Sequence, residues 1–228
     1  MTTEILISLI TLIVLEIVLG IDNIIFISIL SDKLPVDKRK KARLVGLSLA
    51  LITRLILLAG ISWIMKLDKT LFVVSGIDIS GKDLILIVGG LFLLYKSNKE
   101  IFEKTEDEHE DKPFVYTSFS KIIGQIIILD LVFSIDSIIT AVGLVEELWV
   151  MYAAVIVSIS IMMMVAGTIS AFISKHPSLK ILALCFLMMI GITLIAEGLN
   201  FHIPKQYIYF SMAFSFLVNV IQIRKNAK

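Results

Sequence analysis

Six stretches of this chain, near residues 5–30, 44–65, 122–145, 150–173, 179–199 and 206–223, run for 18 residues or more with almost no charge. An α-helix needs about 20 mostly apolar residues to cross the hydrocarbon core of a bilayer. Backbone groups in lipid find no water, so a segment that enters it closes its own hydrogen bonds as a helix. A seventh stretch, third in order, is strictly apolar only from Leu84 to Tyr95. Ahead of it Ser80-Gly81-Lys82-Asp83 has the form of a capping box, and at its far end Lys96 is long enough to reach the interface. A helix is therefore expected to start near residue 81. With 57% hydrophobic and only 18% charged residues, a chain of 228 residues has more apolar surface than a soluble core hides. The expected fold is all-α: a polytopic membrane protein of seven transmembrane helices in a single transmembrane domain over 1–228.

Met1-Thr2-Thr3-Glu4 carries no basic n-region, and the apolar run behind it is too long for a signal-peptide core and lacks a small-residue cleavage site. It is expected to persist as the first helix. Lys and Arg divide unevenly between alternate loops: segments 31–43, 96–121, 174–180 and 224–228 hold six, five, two and three, against four in all the other loops together. The positive-inside rule then puts the first loop and the C-terminus in the cytoplasm and the N-terminus outside. The basic segments Lys38 to Arg43 and Arg224-Lys225 fall where anionic lipid headgroups lie. A net charge of +1 offers nothing to nucleic acid. The lone cysteine, Cys185, has no partner for a disulfide within the chain and reads as a small core residue.

The first helix contains Leu15-Glu16-Ile17-Val18-Leu19-Gly20-Ile21-Asp22-Asn23-Ile24-Ile25, and the fourth contains Leu129-Asp130-Leu131-Val132-Phe133-Ser134-Ile135-Asp136-Ser137-Ile138-Ile139. An acid, five residues, an Asp and a neutral oxygen side chain thus occur twice. The echo continues in order, with Ala59-Gly60 matching Ala166-Gly167 and Gly90-Leu91-Phe92-Leu93-Leu94 matching Gly191-Ile192-Thr193-Leu194-Ile195. Because each unit has three helices, the second enters the membrane from the side opposite to the first. Two inverted repeats, about 5–97 and 122–199, are expected, joined by an acidic cytoplasmic linker at about 98–121 and followed by an extra C-terminal helix at 206–223. Secondary transporters built this way bind substrate near the midplane where the repeats meet.

An Asp at the centre of a membrane helix costs roughly 2.5–3.5 kcal/mol on insertion scales. Glu16, Asp22, Asp130 and Asp136 together therefore oppose insertion by about 10 kcal/mol, which packing does not explain. Ionisable groups at this depth face the bundle interior and mark ion or proton pathways. On a straight helix, residues six apart lie about 120° around and about 9 Å along the axis, so Glu16 and Asp22 do not both reach one ion. A local unwinding at Gly20 and at Ser134, which fall between the acids at equivalent positions, is expected to bring them together. Four carboxylates, the Asn23 amide and the Ser137 hydroxyl then form an all-oxygen set that suits Mg²⁺, Ca²⁺ and Mn²⁺ and not copper or zinc.

The doubled acid motif, together with Ala196-Glu197-Gly198 and Phe201-His202-Ile203-Pro204-Lys205 near the outer end of the sixth helix, closely resembles the TerC family of membrane proteins. The resemblance runs from about Ile5 to Ile221. It implies a bacterial manganese exporter of the cytoplasmic membrane, within a broader group of exporters named from tellurite-resistance operons. It supports Glu16, Asp22, Asn23, Asp130, Asp136 and Ser137 as the metal site, and it ranks Mn²⁺ above Ca²⁺ and Mg²⁺, which ligand chemistry alone leaves level. The cation is then a transported substrate, with no cofactor bound permanently.

Arg54, mid-membrane in the second helix, faces Ile161 at its repeat equivalent, so the acid site is asymmetric by one positive charge. Arg54 either neutralises the acids in the metal-free state or serves as a structural ion pair. Gln125, Glu197 and His202 are further accessory candidates; Glu197 and His202 either line an outer exit path or have no such role, His202 then simply sitting at the interface beside a short Pro-containing loop. The run from Glu103 to Asp111 is a solvated linker or a metal-collecting segment, the linker being the plainer reading. Four ionised carboxylates and Arg54 sum to minus three, so an empty site is expected to take up protons, and the cation to move in exchange for them. No phosphate-binding loop, nucleophile elbow or Cys-His pair suggests an enzyme. Two other classes remain open: an assembly or accessory factor, and an intramembrane aspartyl protease, whose acid setting differs from Gly-Ile-Asp-Asn and Ser-Ile-Asp-Ser.

The topology generates a test. Single cysteines at Ser31 and Ser80, with Cys185 removed, are expected to react with impermeant thiol reagents from opposite sides of the membrane. Reaction from the same side overturns both the orientation and the inverted repeat.

Overall fold

The computed structural model describes residues 2–61, 65, 67, 69–74, 76–105, 117–143, 145 and 147–226, with the backbone alone at Asp22, Asp136 and a few other positions. Among them are seven helices and one hairpin: α1 (Thr2–Ser31), α2 (Val36–Ala59), β1 (Thr70–Val74), β2 (Ile77–Ser80), α3 (Gly81–Thr105), α4 (Phe119–Val142), α5 (Leu148–Lys175), α6 (Pro177–Gly198) and α7 (Lys205–Asn226). Six of these helices, all except α3, are long and apolar enough to cross a membrane. In α3 the apolar part gives way after Tyr95 to Lys96, Lys99, Glu100, Glu103 and Lys104, yet the helix continues to Thr105, into the segment expected to be linker.

Helix ends follow local chemistry more than hydropathy. α2 starts at Val36, well ahead of its apolar run, because Pro35 at the N-cap (φ −51°) presets the first turn and its carbonyl accepts from the Lys38 N–H at 2.9 Å. The basic segment from Lys38 to Arg43 is therefore helix and not loop. Arg39 donates through Nε to the Leu34 carbonyl at 2.9 Å and stands 3.5 Å from Asp32, bracing the turn between α1 and α2. α3 begins where the capping box predicts: the Ser80 N–H and hydroxyl donate to Asp83 Oδ2 at 2.8 and 2.7 Å, and the Asp83 N–H donates to Ser80 Oγ at 3.2 Å. α6 ends in a Schellman turn. Asn200 adopts φ 63°, its N–H reaches the Glu197 carbonyl at 2.9 Å, and the Phe201 N–H reaches that of Ala196 at 2.8 Å.

The hairpin departs from the all-α expectation. Its strands pair antiparallel around Gly76 (φ 83°), and two strands alone are marginally stable in water. Asn200 Nδ2 donates to the Asp78 carbonyl at 2.6 Å and ties the hairpin to the end of α6. Ser80 leads from β2 straight into the α3 cap.

Contacts divide the chain into two compact units, residues 1–69 with 115–171 and residues 70–114 with 172–228. The first holds α1, α2, α4 and most of α5, around Leu12, Leu30, Leu58, Ile122 and Leu129, which are all but inaccessible. The second holds the hairpin, α3, α6 and α7. There α3 packs along α6 at glycines: a Cβ on Gly90 would stand 2.5 Å from the Gly191 carbonyl oxygen, one on Gly191 2.9 Å from that of Gly90, and one on Gly198 2.7 Å from that of Asp83. Small residues are what allow membrane helices to approach so closely. Cys185 is exposed on α6 and not in the core as expected. A helix bathed in lipid is apolar on its outer face too, so an apolar run does not mark burial.

Ser31 and Ser80 are buried. Asp37 and Asp78, which are exposed, are therefore the positions to carry the topology cysteines. Gly90→Ala is expected to cost about 1–3 kcal/mol by forcing backbone from backbone. Gly167→Ala, with open space where its Cβ would stand, leaves stability unchanged or raises it. Unfolding of the two purified variants in detergent measures both, and an unaffected Gly90→Ala protein would refute the close packing.

Candidate cation site

Within the first unit, three charged side chains from three helices meet with almost no exposure: Glu16 of α1 (3%), Arg54 of α2 (2%) and Asp130 of α4 (4%). The Arg54 guanidinium pairs with Glu16 through Nη1. Its Nε lies 3.5 Å from Asp130 Oδ1, an ion-pair distance without the alignment of a hydrogen bond. Asp130 Oδ2 accepts from the Thr53 hydroxyl at 2.9 Å and the Ser134 hydroxyl at 3.3 Å. Arg54 therefore joins the two acids that hold equivalent places in the doubled motif.

Neither motif helix unwinds. α1 is helical without a break from Thr2 to Ser31 and α4 from Phe119 to Val142. The expected bends at Gly20 and Ser134 are absent because both residues have other work. Gly20 makes room for the Met162 side chain of α5, and Ser134 turns its hydroxyl to Asp130. On straight helices the turns that carry Asp22 and Asp136 stand about 9 Å along the axis from Glu16 and Asp130. The side chains of Asp22 and Asp136 lie outside the described ones. Among the described residues, no three His, Cys, Asp or Glu side chains gather as a metal site.

Two small cavities flank the triad. The first is lined by Asn23 and Ile27 of α1, Leu47 and Arg54 of α2, and Ile126 and Asp130 of α4. The second is lined by Leu12 and Glu16 of α1, Leu58 of α2, Ile138 and Ala141 of α4, and Ala154 of α5. Each is about the size of a water molecule or a bare cation. Asn23 thus faces the same space as Asp130. Ser137, buried, spends its hydroxyl on the Ser134 carbonyl at 3.2 Å.

The remaining candidates scatter. Gln125 is half-buried on α4, its Oε1 without a hydrogen-bond partner. Glu197, half-buried, and His202, exposed, belong to the second unit. The acidic run lies outside the described residues from Glu106 onward. Thr53 was not anticipated. The one signal for it in the sequence is that the repeat register sets Ser160, another hydroxyl, opposite it.

Compared with known proteins, residues 1–227 match the integral membrane protein TerC family. The chain is 52% identical over 220 residues to a UPF0053 protein of Haemophilus influenzae, covering 96% of this chain and 93% of that protein. It is 49% identical over 218 residues to the UPF0053 inner membrane protein YgdQ of Escherichia coli K12, covering 96% and 92%. Against the UPF0053 inner membrane protein YoaE of the same strain, it is 51% identical over 215 residues, 93% of this chain but 42% of YoaE, so it spans less than half of that longer relative. No solved structure matches the chain.

Removing one member of a buried ion cluster strands the others. Arg54→Met is expected to destabilise the protein by about 3–5 kcal/mol, and Glu16→Gln with Asp130→Asn in the same chain to restore most of that loss. Denaturant unfolding of the purified proteins measures it. A single variant as stable as the unmodified chain would show that the ion pairs do not hold α1, α2 and α4 together.

Proposed function

Since the chain belongs to the TerC family of integral membrane proteins, we propose that it exports a hard divalent cation, Mn²⁺ first and Ca²⁺ or Mg²⁺ after it, by way of the intramembrane acids of α1 and α4. The observation that carries this reading is the burial of Glu16 and Asp130, equivalent acids of a doubled motif, on either side of Arg54 inside the first unit. Their ion pairs with Arg54 hold three helices in register in the metal-free protein, and carboxylate oxygens at this depth also suit a hard cation. The names of YgdQ and YoaE support a place in the bacterial inner membrane.

The reading includes two inverted three-helix repeats with α3 as a seventh span. Two features support it. Gly90 and Gly191, equivalent in the repeat, approach reciprocally, each pressing on the other's carbonyl, which is how a two-fold axis between α3 and α6 would bring them together. Each compact unit also collects matching elements of both halves: α1 with α4 and α2 with α5 in one, α3 with α6 in the other. The N-terminus is then outside and the C-terminus cytoplasmic.

Reconstituted alone in liposomes, the protein is expected to move Mn²⁺ into a compartment holding a metal-quenched dye, and Asp22→Asn and Asp136→Asn to abolish that flux while the proteins stay inserted. Normal flux in both variants removes those acids from the site. No flux in the unmodified protein favours an accessory role. If protons are exchanged for the cation, an imposed proton gradient accelerates the flux and a trapped pH dye reports acidification of the compartment the metal leaves.

A further inference from the structure

α7 is the least apolar of the six helices long enough to cross a membrane, yet it is also the one with none of its span buried within the chain. Lipid as its only surroundings would call for the reverse. A helix whose outer flank meets hydrocarbon is expected to be the most apolar of a set, because polar side chains at that depth seek partners on a neighbouring helix. α7 instead carries Gln206, Ser211, Ser215, Asn219 and Gln222 along its length. Part of this is answered by α6, on which α7 packs within the second unit. Asn219 Oδ1 accepts from the Ser178 hydroxyl at 3.0 Å, and Ile208, about three turns earlier on the same face of α7, is buried.

The face turned away from α6 carries a seam of large side chains. Tyr207, Phe210, Phe214, Leu217 and Ile221 follow one another at intervals of three, four, three and four residues. That interval keeps all five on one stripe, and it is the one at which two helices winding around each other meet knob into hole. Each of the five is between 60% and 74% exposed. Gln206, Ser211 and Ala213, beside the seam and exposed as well, are small or polar. A ridge of bulky groups bordered by such residues has the relief of a helix-packing face. Phe214, near the middle of α7, lies too deep for the aromatic belt of a membrane interface. The exposed large residues of α1, by contrast, are aliphatic throughout, from Leu6 to Val18, as contact with lipid alone requires.

We infer that this face of α7 docks a second copy of the chain, α7 against α7. Copies inserted in one membrane share its orientation, so their two-fold axis runs along the bilayer normal. The two helices then lie parallel, and each seam residue meets its own counterpart. Five side chains of this size and exposure, enclosed on both copies, remove roughly 1,000 Å² from lipid, about the area a specific interface needs. Lipid is as apolar as the seam, so the interlocking of the rings drives pairing more than their hydrophobicity does. No seam residue belongs to the unit that holds Glu16, Arg54 and Asp130, and the inference does not depend on the transport reading.

Cysteine cross-linking in native membranes, in chains lacking Cys185, tests the pairing. Phe210→Cys and Leu217→Cys stand on the seam, whereas Phe216→Cys and Gln222→Cys are exposed positions off it. Under copper phenanthroline, the seam positions are expected to give a covalent product of two chain masses severalfold faster than the other two. Photobleaching steps of the singly labelled protein in liposomes, at falling protein-to-lipid ratio, supply a second readout. Phe210→Ala with Phe214→Ala is expected to raise the density needed for pairing by an order of magnitude, and Phe216→Ala with Gln222→Ala to leave it unchanged. The cysteine variants are read one side chain at a time, so a double variant that fails to fold does not spare the inference. Equal cross-linking at all four positions, single photobleaching steps at every density, pairing that survives the double seam variant, or a seam cysteine captured only by a different polypeptide each overturns the proposal.

Discussion

A guanidinium sealed from water has to be surrounded by acceptors, and the desolvation of its charge is offset only when carboxylates stand close by. Arg54 meets that requirement with one acid from α1 and one from α4, and Thr53 and Ser134 complete the coordination of Asp130. These contacts set the register of three helices. A slide of α1 or α4 by one turn would move its acid about 5.4 Å and leave a buried charge alone. Apolar side chains such as Leu58, beside Glu16, and Leu129, beside Arg54 and Asp130, fill the space around the triad but tolerate sliding far better than a salt bridge does. Precision in this unit thus comes from its most polar residues.

Straight motif helices alter what the four acids can do together. If α1 and α4 broke at Gly20 and Ser134, the carboxylates would close on one ion. Continuous helices keep the acids of each motif apart along the axis and bring the first acid of one motif beside the first acid of the other. Gly20 illustrates the shift. Its lack of a Cβ serves the packing of Met162, a role between helices, and adds no bend within α1.

Much of this was legible in the residues. Apolar length located six helices, and the Ser80 and Asp83 pair located the start of the one whose hydropathy is weakest. The doubled motif identified Glu16 and Asp130, and the depth of Arg54 marked it as their partner. Three things were not legible. The start of α2 is set by Pro35 and by the Arg39 bracing of the turn, which hydropathy does not see. The hairpin depends on Asn200, a residue far away in sequence. The exposure of Cys185 follows from lipid as solvent, which removes the usual link between an apolar neighbourhood and a core position. The bend at Gly20 failed for a related reason: a glycine in a helix is consistent with a break and with a close neighbour, and only tertiary contacts choose between them.

α3 carries a consequence for how the protein is made. Its apolar stretch is short, Ser97 and Glu100 on its later turns are buried, and its glycine face is shaped for α6. Lipid cannot reproduce the close fit of that glycine face against a second helix, so α3 depends on α6 for its packing. During synthesis that partner emerges only after α4 and α5. The second compact unit therefore cannot close until nearly the whole chain has left the ribosome, and a truncated chain ending before Gly191 would hold an unaccompanied α3 for quality-control proteases to find.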